Sequence, residues 1–96
     1  YHEGDSYNAT FTLVVFETKG GNDPTDITST IPTTRFRWTR TTKRGGSSDT
    51  GWNDIHANVG PVLTLTEKDL DGDTYFLGEL LSADGTKTLK AVSMNI

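Results

Sequence analysis

From Ser6 to Thr18 the chain reads SYNATFTLVVFET, with Tyr7, Ala9, Phe11, Leu13 and Val15 on every second position and mostly polar residues opposite until Val14 and Phe16. A period of two places side chains on one face of an extended backbone, so the segment predicts a half-buried strand. The same pattern returns in RFRWTRTT, residues 35–42. There Phe36 and Trp38 point one way and Arg35, Arg37 and Thr39 the other. Thr supplies about one residue in six, ten residues are Gly and Ala is scarce. That usage favours strands and turns over helices, and an all-β fold is expected.

The intervening segments punctuate the strands. KGGNDP, residues 19–24, stops regular structure. TDITSTIP carries only Ile27 and Ile31 as apolar residues and reads as a short edge strand or packed loop, with Pro32 barred from a central ladder position. After the polar loop KRGGSSDTG, the segment WNDIHANVG has helix-compatible spacing at Trp52, Ile55 and Val59. It is long enough for a turn or two and reads as a packed loop. VLTLT, residues 62–66, is a short strand, and TEKDLDGD is an acidic turn. Tyr75 to Leu81 is expected to pair antiparallel with Thr88 to Ile96 through a hairpin turn whose positive φ angles come from Asp84-Gly85. Two facings are open to that strand. Tyr75/Leu77/Glu79 inward buries a carboxylate near the strand end, and Phe76/Gly78/Leu80 inward does not; the reading with Tyr75 inward is adopted. Five or six strands with turn signals about every ten residues point to a β-sandwich.

Ninety-six residues hold one domain with one small core. Such a chain has few positions to spare for a catalytic cavity, and no activated nucleophile, base and orienting acid can be named, so an enzyme is not expected. There is no Cys, hence no disulfide and no thiolate site. No apolar run approaches the ~18 residues of a membrane helix, and no membrane insertion is expected. The sequence starts at Tyr1 without an initiator Met, which reads as a piece of a longer polypeptide. A net charge of −4 argues against nucleic acid as a partner. The charges are segregated, however. Arg35, Arg37, Arg40, Lys43 and Arg44 cluster within one strand and loop, while Glu67, Asp69, Asp71 and Asp73 form an acidic counterpart, and a dipolar surface is expected.

Trp38 in a strand, then LTLTEKD, then DGDTYFL follow the immunoglobulin-like order of a core Trp, an L-x-L strand and a tyrosine corner, with Asp71 and Tyr75 at the corner's spacing. RFRWTRTT, DTGWNDIHANVG and LTLTEKDLDGDTYF, in that order, resemble the immunoglobulin-like domains carried by tail proteins of tailed bacteriophages. The likeness reaches back through DITSTIP to Phe11 and so spans most of the chain. It implies an antiparallel immunoglobulin-like β-sandwich of about seven strands, on a virion tail or another extracellular surface. One departure is Leu77, which stands where many such domains place a Cys two residues after the corner Tyr, so that apolar packing replaces a disulfide.

Each chemical constellation has an ordinary counterpart. Asp69-x-Asp71-Gly72-Asp73 resembles the start of a calcium loop, but Thr74 and Leu80 occupy the positions that need Gly and Glu, so a solvated acidic turn and no metal are expected. His2 and His56 lack zinc spacing, and no cofactor is implied. As a catalytic base His56 would have to recruit Ser47 or Ser48 and Asp54, residue types that abound here. The arginine cluster suits anionic glycans or phosphates, although cross-strand acids pair such faces as a rule. Trp52 in a loop either stacks on a sugar ring or closes the edge of the core. Arg35, Arg37, Trp52 and His56 are therefore the candidate ligand residues, and Trp38, Asp71, Tyr75 and Leu77 the candidate structural ones.

The expected role is a non-enzymatic accessory module of a phage tail or virion protein, displaying or weakly adhering to host-surface carbohydrate. Its expected partners are other domains or subunits of the virion protein and bacterial cell-surface polysaccharide. The alternatives are a structural spacer of a bacterial surface adhesin or secreted enzyme, and a small carbohydrate-binding module, for which Trp52 and Tyr1 or Tyr7 would have to form the platform.

Overall fold

The computed structural model describes residues 6–18, 20–21, 23–42, 49–70 and 74–96. Among these, the strands are β1 (Asn8–Thr12), β2 (Phe16–Glu17), β3 (Thr25–Asp26), β4 (Phe36–Thr42), β5 (Val62–Thr66), β6 (Thr74–Leu81) and β7 (Thr88–Asn95), with one α-helix, α1 (Thr50–Ile55), between β4 and β5. Every pairing is antiparallel: β1 with β5, β2 with β3, and a three-stranded sheet in the order β4-β6-β7. The protein is mostly β. The expectations at Tyr1, His2, Lys43, Arg44, Ser47, Ser48, Asp71 and Asp73 lie outside the described residues.

The alternating segment 6–18 does not run as one strand. Leu13 donates its N–H to Pro61 O at 2.8 Å, closing the β1–β5 ladder, and the chain then turns to the 25–28 segment. Val15 N donates to Thr28 Oγ1 at 2.8 Å, and Val15 O accepts from Ile27 N at 2.9 Å. The β2–β3 pair follows, and Phe16 is left exposed.

One core joins both larger sheets. Leu13, Leu63 and Leu65 come from the β1–β5 side, Phe36, Trp38, Phe76 and Leu80 from β4 and β6, and Trp52 and Leu70 from the connections. Each such side chain removed from water contributes roughly 1.5–3 kcal/mol. Trp38 fills the centre. It sits directly across from Gly78 in the β4–β6 register, and its indole N–H donates to Gly60 O at 2.8 Å. The aromatic ring lies over the glycine's Cα, so β6 can pass close beneath it.

This contact settles the facing of β6 and corrects the expectation for Tyr75. Phe76, Gly78 and Leu80 point inward, while Tyr75 is 42% exposed and Leu77 lies half-buried on the outer face, across from Thr39 and Ser93. Tyr75 therefore does not enter the core as a corner tyrosine would. The physical reason is that the inward position opposite Trp38 must carry no side chain, and only Gly78 meets that condition.

The β6–β7 hairpin closes with Ser82 N donating to Lys87 O at 2.8 Å. Gly85 alone carries a positive φ, +76°, so Asp84 supports the turn by its side chain instead of by its backbone. The Asp84 carboxylate accepts from the Ser82 and Thr86 hydroxyls at 2.6 and 2.8 Å and from Thr86 N at 3.1 Å, and these bonds lower its pKa to about 2.

Candidate functional site

β4 and α1 hold the chemistry of this protein. Aspartate is a favoured residue just before a helix because its carboxylate can accept a free N–H of the first turn. Asp49 does so for Trp52 N at 3.2 Å, which starts α1. Asp49 N donates to Arg40 O at 2.8 Å, and Asn53 Oδ1 accepts from Arg40 N at 2.9 Å. The helix is thereby laid along the free edge of β4.

Arg40 binds this junction together. It is two residues beyond Trp38 and shares its inward face, so it does not belong to the solvent-facing cationic row expected from the sequence. Its guanidinium pairs with Asp49, donates to Asp69 O at 3.0 Å and lies 5.8 Å over the Trp52 ring. The Arg40 guanidinium holds the Asp49 carboxyl below its usual range, with the Trp52 N–H adding to the effect.

Trp52 does not present an open stacking platform, which corrects its candidacy as a ligand residue. It is 7% exposed, with its ring stacked on His56 at 3.9 Å and tilted against Phe76 at 5.4 Å. Its indole N–H donates to Asp69 Oδ1 at 3.0 Å. His56 is held in turn, its Nδ1 2.7 Å from Trp52 O. The other Asp69 oxygen accepts from Thr66 N at 2.8 Å, so this carboxylate caps the turn after β5 and anchors Trp52. Ile55 and Val59, which share helix-compatible spacing with Trp52, are exposed at 79% and 39%. Among the described residues no group of three or more metal-binding side chains comes together.

On the outer face of the sheet, Arg37 and Glu79 are direct cross-strand neighbours. Their fork is bidentate, with Nε to Oε1 at 3.1 Å and Nη2 to Oε2 at 2.9 Å, and Thr88 Oγ1 adds a third bond to Glu79 at 2.6 Å. Glu79 is thus covered although it faces outward. The Arg37 hydrogen bond, joined by Thr88, holds its carboxyl below the ordinary value of 4.5. Arg35 is also occupied, its Nε donating to Leu81 O at 2.9 Å. The dipolar surface expected from the sequence is replaced, at Arg37 and Arg40, by local pairs.

A pH dependence follows. Because the folded-state pKa values of Glu79, Asp49, Asp26 and Asp84 are depressed, the unfolded chain binds more protons in acid, and stability falls as pH drops. The contribution is complete above the ordinary carboxylate range and is lost as pH falls through the folded-state values. The urea midpoint should decline steadily below about pH 5. Glu79→Gln should flatten the upper part of that decline, and an unchanged pH profile would remove Glu79 from the account.

Between β4 and α1 lies a cleft of about 290 Å³. Arg37, Asp54, Asn53, Thr34 and Thr39 line it together with Leu81, and Phe36 and Trp38 border it while their side chains stay buried in the core. Of the four ligand candidates, only Arg37 lines it; Arg35 is bound to the Leu81 carbonyl, and Trp52 and His56 support α1. Asp54 and Asn53 were not legible as ligand groups, although the Asp49-x-x-Trp52 helix start is the signal that would have placed them beside β4. With Arg37 paired to Glu79 and Asn53 bound to Arg40 N, the Asp54 carboxylate and the Thr34 and Thr39 hydroxyls give the cleft a polar lining that suits a small polyhydroxylated group. Comparison with protein families, curated proteins and solved structures finds no match to the chain.

Proposed function

We propose that the chain is a non-enzymatic immunoglobulin-like sandwich module of a phage tail or virion protein, and that the cleft between β4 and α1 is where it meets bacterial cell-surface carbohydrate. The cleft carries this reading. Its lining sets the hydroxyls of Thr34 and Thr39 and the Asp54 carboxylate beside the apolar Leu81, and these offer donors and acceptors to a sugar's hydroxyls. The resemblance of RFRWTRTT and DTGWNDIHANVG to phage immunoglobulin-like domains supports the same placement, because these two segments build the two walls. A single cleft of this size binds weakly. Repetition of the module on a virion would raise the effective affinity without new contacts.

The test is retention of purified envelope polysaccharide by the domain coupled densely to beads, at low and high salt. Asp54→Ala removes one polar contact and should weaken retention about tenfold or more; Arg37→Gln should do the same but also breaks the fork on Glu79, so a thermal melt must show that it folds. Asp54 is exposed, so its variant should keep the parent's stability. Absence of retention by the parent protein at low salt would favour the spacer role.

A further inference from the structure

The edge of β4 supplies backbone groups to the cleft. In an antiparallel ladder the N–H and C=O of one residue point to the same side, and the side alternates along the strand. Arg40 directs both away from β6, its N–H donating to Asn53 Oδ1 and its C=O accepting from Asp49 N. The β4–β6 register is unbroken from Phe36 to Thr42, so Trp38 and Phe36 direct theirs the same way, toward α1 and the cavity that both residues border. The Phe36 N–H is taken by Thr33 O. The Trp38 N–H and the carbonyls of Phe36 and Trp38 have no partner among the described residues.

The charge of the lining reduces to one carboxylate. Arg37 and Asp54 are its ionisable residues, and Arg37 is closed into the two-bond fork on Glu79. Arg35, its Nε bound to Leu81 O, stands outside the lining. Asp54 is exposed on the last turn of α1, and no hydrogen bond or ion pair among the described residues reaches its carboxylate. The cleft thus sets one carboxylate and two backbone carbonyls against one backbone N–H, while the Thr34 and Thr39 hydroxyls serve either way. Such a set is complemented by a ligand rich in donors and positively charged.

We propose that the cleft recognises an amino sugar with a free primary amine, its ammonium paired with the Asp54 carboxylate and its hydroxyls bonded by the β4 edge and the two threonines. This inference rests on the reading of the cleft as a carbohydrate site and names the class of sugar. An ammonium brings three donors and no acceptor, and hydrogen bonds between charged partners are roughly twice as strong as neutral ones. N-acetylation removes that charge, and an acidic sugar would set a second carboxylate against Asp54. The pairing of Arg37 with Glu79 therefore reverses the preference for anionic glycans expected from the arginine cluster. The net charge of −4 favours a cation in the same sense.

The experiment is an amide chemical-shift titration of the 96-residue chain with the trimer of β-1,4-linked glucosamine and with its fully N-acetylated form, at low salt and about pH 6, where amines are protonated. The free-amine trimer should bind about tenfold more tightly and move the Trp38 and Asp54 signals. Asp54→Asn keeps the shape and an acceptor but removes the charge, and it should bring the ratio of the two affinities close to one. Asp23→Asn removes the same charge from an exposed position outside the cleft, and it should leave the ratio as in the parent. Circular dichroism melts check that both variants fold. Absence of binding by the glucosamine trimer, equal binding of the two trimers, or an equal loss of preference in both variants overturns the amine assignment. The carbohydrate reading is judged separately by polysaccharide retention, so a chain that retains polysaccharide without preferring the amine loses this inference alone.

Discussion

Trp38→Ala should reduce stability by about 3–5 kcal/mol, the range for truncating a buried aromatic residue. Small domains hold only about 5–15 kcal/mol in total, so a large part of the margin would be lost and the urea midpoint would fall steeply. Two effects combine. The side chain is 1% exposed and sits where residues of both larger sheets meet, so its removal leaves a cavity that the paired strands cannot collapse to fill. Gly60 O also loses the indole N–H that it accepts at 2.8 Å, in a buried position. Trp38→Phe separates the two, since it keeps most of the ring and removes the donor, and it should be the milder change. A midpoint that hardly moves in Trp38→Ala would remove this residue from the centre of the core.

Gly78→Ala is the reverse experiment at the same contact. A Cβ on Gly78 would lie within 2.8 Å of both Cε3 and Cη2 of Trp38 and closer still to Cζ3, far inside ordinary carbon–carbon contact. The backbone at Gly78 is not in the left-handed region, so the objection is entirely one of space. Overpacking of this kind costs about 1–3 kcal/mol, and here the upper end is expected, because the opposing group is a rigid ring held by its own hydrogen bond. The two positions should therefore be coupled. In a cycle with Trp38→Leu, the added methyl group should cost much less than it does against tryptophan, with an interaction energy of about 1–3 kcal/mol. Additive effects would show that the ring moves aside freely.

The strands with one apolar face were legible in the sequence. Phe36 and Trp38 alternate with arginines, Leu63 and Leu65 alternate with threonines, and in each case the buried set is the apolar one. The Asp84-Gly85 turn identified the β6–β7 hairpin for a similar reason, since local turn chemistry needs no distant partner. Segment 75–81 was different. YFLGELL is apolar on both faces, so periodicity could not choose between Tyr75 and Phe76. The candidate site was legible only at Arg37. Arg40 counted as one more surface cation although it shares the parity of Trp38, and Asp69 counted as part of an acidic turn although it accepts the Trp52 indole N–H.

The sequence by itself determined the β class, the strands with one apolar face and the hairpin, because these depend on residue type and spacing over a few neighbouring positions. Only the tertiary structure decided the facing of β6, the burial of Trp52 and Arg40, and the assembly of Arg37, Asn53 and Asp54 around one cleft. Each of these rests on a contact between residues from about ten to forty positions apart, such as Trp38 over Gly78. Steric exclusion and hydrogen-bond satisfaction select among facings that local pattern leaves equal, and they act only once the distant segments have been brought together.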